Sequence, residues 1–344
     1  GGISLSYYEY TTLAAFLVLM EIRPNYIILE VGLGGRLDAT NMIDADVAVI
    51  TTIDLDHQAF LGNDRESIGF EKAGIMRPNQ LIVIGDTNAP KSVIDYANKL
   101  SGQNKNNIYI RNKHFHISKN DDIDNEISGE NENETWSWHS TLDQFKSINQ
   151  LTTTFIPCDN VATALMVLSV LAVPFHFSLD RAFINRIIEK TKVPGRTELF
   201  SQQEGCDVLL DVAHNPQASQ YLGHYLQKLK YKGKYRKVHA VVAMLGDKDI
   251  ANSLVSLTDY VEHWYLGQLS VPRAATVSTM QQLLIENINL QLPLNSSIIN
   301  CLDNVGDAFK MANQQAESND LIVVFGSFYT VAEVRQLLTV SSLV

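Results

Sequence analysis

Cysteine is scarce in this sequence. Cys158, Cys206 and Cys301 are the only three among 344 residues, far apart and odd in number. No CxxC and no Cys/His spacing occurs, which argues against a disulfide framework or a zinc site and leaves free thiols of the kind a reducing cytosol tolerates. Positive charge is also short. With 27 Lys and Arg against 38 Asp and Glu, the formal net charge is −11, the wrong sign for a nucleic-acid partner, which needs a basic stripe. A small anionic substrate is not excluded, because a local group of Arg, Lys or metal overrides the global sign. Long apolar runs are missing too. The longest, 13–20 and 165–175, fall short of the ~20 residues that span a bilayer. No basic segment followed by an apolar one opens the chain as a secretory signal would. These absences predict a cytoplasmic protein with no nucleic acid and no membrane as partner.

What is present suffices for two domains, since 45% of the 344 residues are hydrophobic and a domain takes about 100–200 residues. In the first half a helix over 10–21 leads through Pro24 to a buried strand over 26–31. A buried strand over 46–52, a helix near 66–74 and a strand over 81–84 follow. Short, almost continuously apolar strands alternating with helices predict a parallel sheet covered on both faces. Residues 118–134 break the pattern with seven acidic side chains and one basic, Lys119. Flanked by strand-like pieces at 107–117 and 135–139, they read as a hairpin insertion near 107–139 with a solvated acidic loop. Helices over 160–172 and 179–190 close this half, and Pro194-Gly195 marks a change of direction. Strands over 208–212, 238–244, 263–266 and 321–325 form a second series. The expected fold class is α/β, with a parallel-sheet domain over 1–200 and a smaller Rossmann-like domain over 201–344.

Ligands of an open parallel sheet gather at the carboxyl ends of its strands. EVGLGGRLDATN (30–41) ends a strand in Glu30 and continues with three glycines, Arg36 and Asp38. Glycine lets a backbone approach a ligand closely, and a carboxylate there suits a hard cation such as Mg²⁺. The same glycines also fit a dinucleotide or S-adenosylmethionine loop, or a plain turn. DLDH (54–57) places His57 after the second strand, as a metal ligand or a polar loop residue. GFEKAGI (69–75) places Lys72 near the end of a short helix. If buried, its pKa falls, and the neutral amine can add to carbon dioxide as a carbamate, an anionic oxygen donor for magnesium. Asp159-Asn160 opens a helix and PGR (194–196) supplies Arg196. DVAHNP (211–216) ends a strand in Asp211, with His214 near it and Asn215-Pro216 as N-cap and first helical residue.

In order along the chain, SYYEYTTLAAF (6–16), EVGLGGRLDATN, DLDH, EKAGI, CDNVATAL, VPGR, DVAHNP and VFGSFYTVAEV (324–334) together resemble the bacterial dihydrofolate synthase/folylpolyglutamate synthase family. The resemblance spans essentially the whole chain; only the acidic hairpin lacks a family motif. It implies a Mur-ligase-like fold, an ATPase domain followed by a glutamate-ligase domain, and ATP-dependent amide formation. ATP phosphorylates a carboxylate of a pteroate or folate, and the amine of L-glutamate then displaces phosphate from the acyl phosphate.

The resemblance also implies roles for particular residues. Glu30 and His57 look like Mg²⁺ ligands, and Lys72 looks like a carbamylated lysine close to the metal. Asn160, Arg196 and Asp211 are similar to the family's ATP contacts, with His214 beside them as a catalytic candidate. Ser6, Tyr7, Tyr8 and Glu9 fall where family members contact dihydropteroate, and tyrosine rings suit a flat pterin face. Arg196 offers phosphate a fork of donors. The implied partners are small molecules (dihydropteroate or folate, L-glutamate and ATP), and the implied state is a monomer.

The family's glycine-rich phosphate loop of GTNGKGS type has no counterpart in these residues. The sequence therefore reads as starting inside the ATPase domain, and this polypeptide is expected to use ATP poorly or to bind folate without turnover. A ligase of peptidoglycan precursors is the neighbouring enzyme alternative. A dehydrogenase or methyltransferase reading needs an acidic residue about 20 positions beyond the glycines, at a strand end. Asp46 instead begins a strand and Asp54 stands beside His57.

Overall fold

The computed structural model describes residues 4–102, 107–119, 135–153, 156–175, 179–201, 205–291 and 298–341. The acidic loop expected between the hairpin strands lies outside the described residues from 120 to 134. The chain divides into two units, 1–190 and 191–344.

The first unit contains α1 (Tyr7–Ile22), a 3₁₀ turn (Ala39–Met42), β1 (Val47–Ile50), α2 (Gln58–Leu61), α3 (Arg65–Ala73), β2 (Leu81–Ile84) and α4 (Lys91–Ser101). It continues with β3 (Ile108–Ile110), β4 (Phe115–Lys119), β5 (Thr135–Ser140), β6 (Ser147–Thr152), α5 (Cys158–Phe175) and α6 (Arg181–Lys190). Strands β1, β2 and β3 form a parallel sheet in that order. Ile50, Ile82, Ile84, Ile68 and Val93 join it to α3 and α4 in one core. Strands β4, β5 and β6 form a separate antiparallel sheet, and a second core joins it to α5 and α6 through Trp136, Trp138, Leu165, Met166 and Ile184. A buried indole N–H needs an acceptor. Trp136 Nε1 donates to Thr152 O at 3.0 Å and Trp138 Nε1 to Ala162 O at 3.1 Å.

Two expected strands differ. Among the described residues, 26–31 form no ladder, and Tyr26, Ile27 and Ile28 are exposed, Ile28 by 95%. The sheet order gives β1 a neighbour on one side only. An apolar, β-branched run qualifies for a strand, but a partner's backbone is what makes it one. The piece over 107–117 is two strands in different sheets. Residues 111–114 turn between them, with Asn112 at φ 63°, a left-handed conformation that asparagine tolerates better than most.

The second unit contains β7 (Glu198–Phe200), β8 (Asp207–Leu210), α7 (Pro216–Tyr231), β9 (Val238–Val242), α8 (Ile250–Val255) and β10 (His263–Gly267). It ends with α9 (Val277–Gln291), β11 (Ile298–Leu302), α10 (Val305–Gln315), β12 (Leu321–Phe325) and α11 (Phe328–Ser341). Its six-stranded sheet has the order β11-β10-β9-β12-β8-β7, parallel except for β7, which runs antiparallel to β8. Side chains alternate between two cores. Leu321, Val323 and Phe325 of β12 enter one, Ile322 and Val324 the other, as a strand buried on both faces requires. Glu198–Phe200 is laddered to β8 and so belongs with the second unit, which begins at Thr191. Strand β11 has no counterpart among the expected strands. Its sequence, IINCL, breaks the apolar run with Asn300, as an edge position permits. Among the described residues no helix is long and apolar enough to cross a membrane.

Candidate active site

Asp38 folds the loop that follows Glu30. Its Oδ2 accepts the N–H groups of Gly32 (3.1 Å) and Leu33 (3.0 Å). Its Oδ1 accepts the N–H (2.9 Å) and hydroxyl (2.7 Å) of Thr40, and the Tyr8 hydroxyl from 3.3 Å. Burial pushes the Asp38 pKa up, but the hydrogen bonds from Thr40, Leu33 and Tyr8 outweigh it and hold the carboxyl below its ordinary value. Gly34 has φ +67°, and a Cβ on Gly35 would lie 2.9 Å from the carbonyl oxygens of Glu71 and Lys72. The loop thus rests directly on the end of α3, which only glycine allows. Arg36 fastens it there. Its N–H donates to Glu71 O (2.8 Å), and its guanidinium meets both Glu71 carboxylate oxygens at 3.0–3.2 Å.

A second carboxylate, this one buried, places the loop after β1. Asp86, just beyond β2, accepts the N–H of Ile53 (2.7 Å) and pairs with Arg65 at 3.1 Å, while Arg65 Nε donates to Ile53 O at 2.8 Å. The DLDH segment therefore leaves the sheet from a fixed point. With the glycine loop it encloses a cavity of about 80 Å³, lined by residues 31–34, Asp54, Asp56, His57 and Lys72, with Leu61 and Ile68 as its apolar wall. Burial lowers the Lys72 pKa, the charge of Asp56 acting against it. His57 has φ 52°, in a region uncommon for residues other than glycine, and such strain gathers at functional sites. Its Nε2 lies 3.8 Å from Asp56 Oδ2.

The structure thus brings His57 and Lys72 into one cavity. Glu30 is exposed and precedes the lining, which begins at Val31. Sequence reasoning selects His57 from DLDH and misses Asp54 and Asp56. The available signal is their spacing, which puts two carboxylates and an imidazole within four residues. Ser6 and Glu9 form the capping box of α1, with Glu9 N donating to Ser6 Oγ (3.2 Å) and Ser6 N to the Glu9 carboxylate (2.7 Å). Both side chains serve the helix start. Tyr8 reaches the glycine loop, where a Cβ on Gly32 would lie 2.9 Å from its hydroxyl. Tyr7 is 85% exposed.

The donors around the cavity fit a hard cation, being mostly carboxylate oxygens with one imidazole. Among the described residues, no three His, Cys, Asp or Glu side chains form a group able to hold a metal ion on their own.

Asn160 is exposed in the first turn of α5, its N–H donating to Pro157 O at 3.0 Å. In the second unit Asp211 follows β8 and is buried. Its Oδ2 accepts Thr197 N and its Oδ1 accepts Ala213 N, both at 2.8 Å. Burial raises its pKa, opposed by these two N–H groups and by the charges of Arg196 and His214. The Arg196 guanidinium lies 5.7 Å from the centre of the Phe328 ring, and His214 Nδ1 donates to Val212 O at 2.8 Å. Arg196, Asp211 and His214 thus cluster at the carboxyl end of β8. Asn215 Oδ1 accepts Ala218 N (2.9 Å), capping α7 ahead of Pro216.

The sheet of the second unit and its strand-end loops define the class. Residues 195–328 match the family described as Mur ligase, glutamate ligase domain. The dihydrofolate synthase/folylpolyglutamate synthase of Escherichia coli (strain K12) is 36% identical over 338 residues, which cover 98% of this chain and 71% of that protein. The chain belongs to the dihydrofolate synthase/folylpolyglutamate synthase family. Among solved structures, E. coli FolC in complex with DHPP and ADP is 34% identical, with a TM-score of 0.83 over 99% of this chain and 73% of that one. The bifunctional enzyme from Yersinia pestis complexed with AMPPNP and Mn ion is 37% identical, with a TM-score of 0.79 over 98% of this chain and 72% of that one.

Proposed function

We propose that the chain performs ATP-dependent ligation of L-glutamate to dihydropteroate and to folates in the cytoplasm, through an acyl phosphate. The observation that carries this reading is the convergence of the glycine loop, DLDH and Lys72 on one cavity at the carboxyl end of β1. Magnesium, when bound there, would neutralise phosphate charge. His57 would hold it, joined by a carbamate on Lys72, with Glu30 supplying a carboxylate from just outside the cavity lining, which begins at Val31. The neutral amine that a carbamate requires is favoured by the partial burial of Lys72.

The remaining residues position the reactants. Each unit carries its own ATP-contact candidates: Asn160 in the first, and in the second the Arg196 fork for phosphate with His214 beside it, on the loop that Asp211 shapes. The segment from Ser6 to Glu9 meets dihydropteroate, presenting Tyr7 and Tyr8 to the flat pterin. The substrate carboxylate attacks the γ-phosphorus and releases ADP. The glutamate nitrogen then adds to the acyl carbon, loses a proton, and phosphate departs as the amide forms.

ADP release with ATP, Mg²⁺, 7,8-dihydropteroate and L-glutamate tests the reading, on this chain and on a version extended upstream with a phosphate-binding loop. Release that requires both the pteroate and glutamate supports it. Release indifferent to glutamate, or none from either version, overturns it.

A further inference from the structure

Arg111 carries a buried charge that the chemistry above does not use. It follows β3 at the carboxyl edge of the first sheet, its N–H donating to Ile84 O at 2.8 Å, and is only 4% exposed. Its Nη2 donates to Asp159 Oδ1 at 2.5 Å, and its guanidinium lies 5.6 Å from the centre of the Phe115 ring. Nε and Nη1 are buried without a hydrogen-bond partner among the described residues. Dry, unpaired donors destabilise a fold, and a buried ion pair is often no better than apolar packing of similar volume. Packing alone therefore gives no reason for an arginine at this position.

What Arg111 reaches is the first turn of α5. Two other contacts seat that turn. Thr163 Oγ1 donates to Asp159 O (2.9 Å) and lies against Gly85, where a Cβ would come within 2.2 Å of it. Trp138 Nε1 donates to Ala162 O (3.1 Å). Asp159 has a helix-start location that favours a carboxylate, and Arg111 ties that carboxylate to the sheet. Asn160, the next residue, is exposed.

We propose that Arg111 is a positioning residue: through Asp159 it fixes the start of α5 so that Asn160 meets the nucleotide in one orientation. The proposal rests on the reading of Asn160 as a nucleotide contact. It is tested by equilibrium binding of the fluorescent analogue mant-ADP with Mg²⁺ to the whole chain, comparing wild type, Asn160→Ala, Arg111→Met, their double variant and Arg111→Lys. Methionine keeps length without charge, and Asp159, whose side chain is 49% exposed, is hydrated once its partner is gone.

Asn160→Ala and Arg111→Met should each weaken binding about tenfold, as the loss of one charge-assisted hydrogen bond does. The double variant should bind no more weakly than Asn160→Ala alone, and Arg111→Lys should recover part of the loss. Additive losses overturn the proposal and leave Asn160 as a contact, as does an Arg111→Met chain that melts lower yet binds like wild type. If Asn160→Ala binds like wild type, the reading of Asn160 falls and the proposal with it.

Discussion

Replacing Asp38 with alanine should release the glycine loop while both units stay folded. In the wild type, Gly32 and Leu33 each donate a backbone N–H to Asp38 Oδ2 at 3.0–3.1 Å. Both residues are exposed, so water replaces the lost acceptor and each bond is worth the usual net contribution, about 1 kcal/mol. Two such bonds give about 2 kcal/mol, or roughly 30-fold faster amide exchange at about 1.4 kcal/mol per tenfold. Asp38→Asn can set its one amide oxygen in the Oδ2 place and keep both bonds without their charge, and should lose about half of that free energy, roughly fivefold in rate. The assay is hydrogen–deuterium exchange of a peptide spanning 31–41, with one from α7 as the control. The carboxylate origin of the protection also has a pH signature. Hydrogen bonds hold the folded pKa of Asp38 below its ordinary value, so its contribution is complete above the unfolded value of about 3.9 and is lost as pH falls through the folded one. Asp38→Asn should show no such step. An Asp38→Ala loop that exchanges at the wild-type rate would refute the assignment.

Gly35→Ala tests the contact between that loop and α3. The new Cβ would sit 2.9 Å from two backbone oxygens, which cannot rotate away as a side chain can. It should therefore destabilise the first unit by about 1–3 kcal/mol, read as faster exchange in both 31–41 and 69–75; unchanged exchange in 69–75 would show that the two motifs are not in contact. Lys72 should give a carbamate carbon resonance when the chain is equilibrated with ¹³C-bicarbonate. The signal should be absent in Lys72→Arg and should fade as pH drops and the amine protonates. Burial lowers the Lys72 pKa, so the fading should occur below the range of an exposed lysine, and a resonance that survives in Lys72→Arg would assign the carbamate elsewhere.

How much of this was legible in the sequence depends on whether a feature is local. The capped start of α7 at Asn215-Pro216, the strands at 81–84 and 321–325, the loops that carry His57 and Asp211, and the helix end that carries Lys72 all follow from neighbouring residues. The failure at 26–31 is of another kind. Its composition is right for a strand, but pairing is a property of two segments, and β1 has a ladder on one side only. The supports of the cavity were equally hidden. Nothing in the order of residues says that Asp86 finds Arg65, or that Arg111 finds Asp159, because 21 and 48 positions separate the partners.

One device nevertheless recurs, and it explains why carboxylates are easy to misassign from sequence. Asp38 takes the N–H groups of Gly32, Leu33 and Thr40, Asp86 those of Ile53 and Asn88, and Asp211 those of Thr197 and Ala213. Each bends a loop near a candidate site by satisfying backbone donors that would otherwise be stranded. Asp54 and Asp56, by contrast, stand at the cavity itself. Residue type alone cannot separate the two roles, since both are acidic residues in loops. The criterion is how many backbone N–H groups a carboxylate holds and from how far along the chain. Asp38, Asp86 and Asp211 each take two or three, at least one from five or more positions away, and shape the loops. Asp54 and Asp56 take theirs from Leu55 and His57 next to them (2.8 Å) and line the cavity.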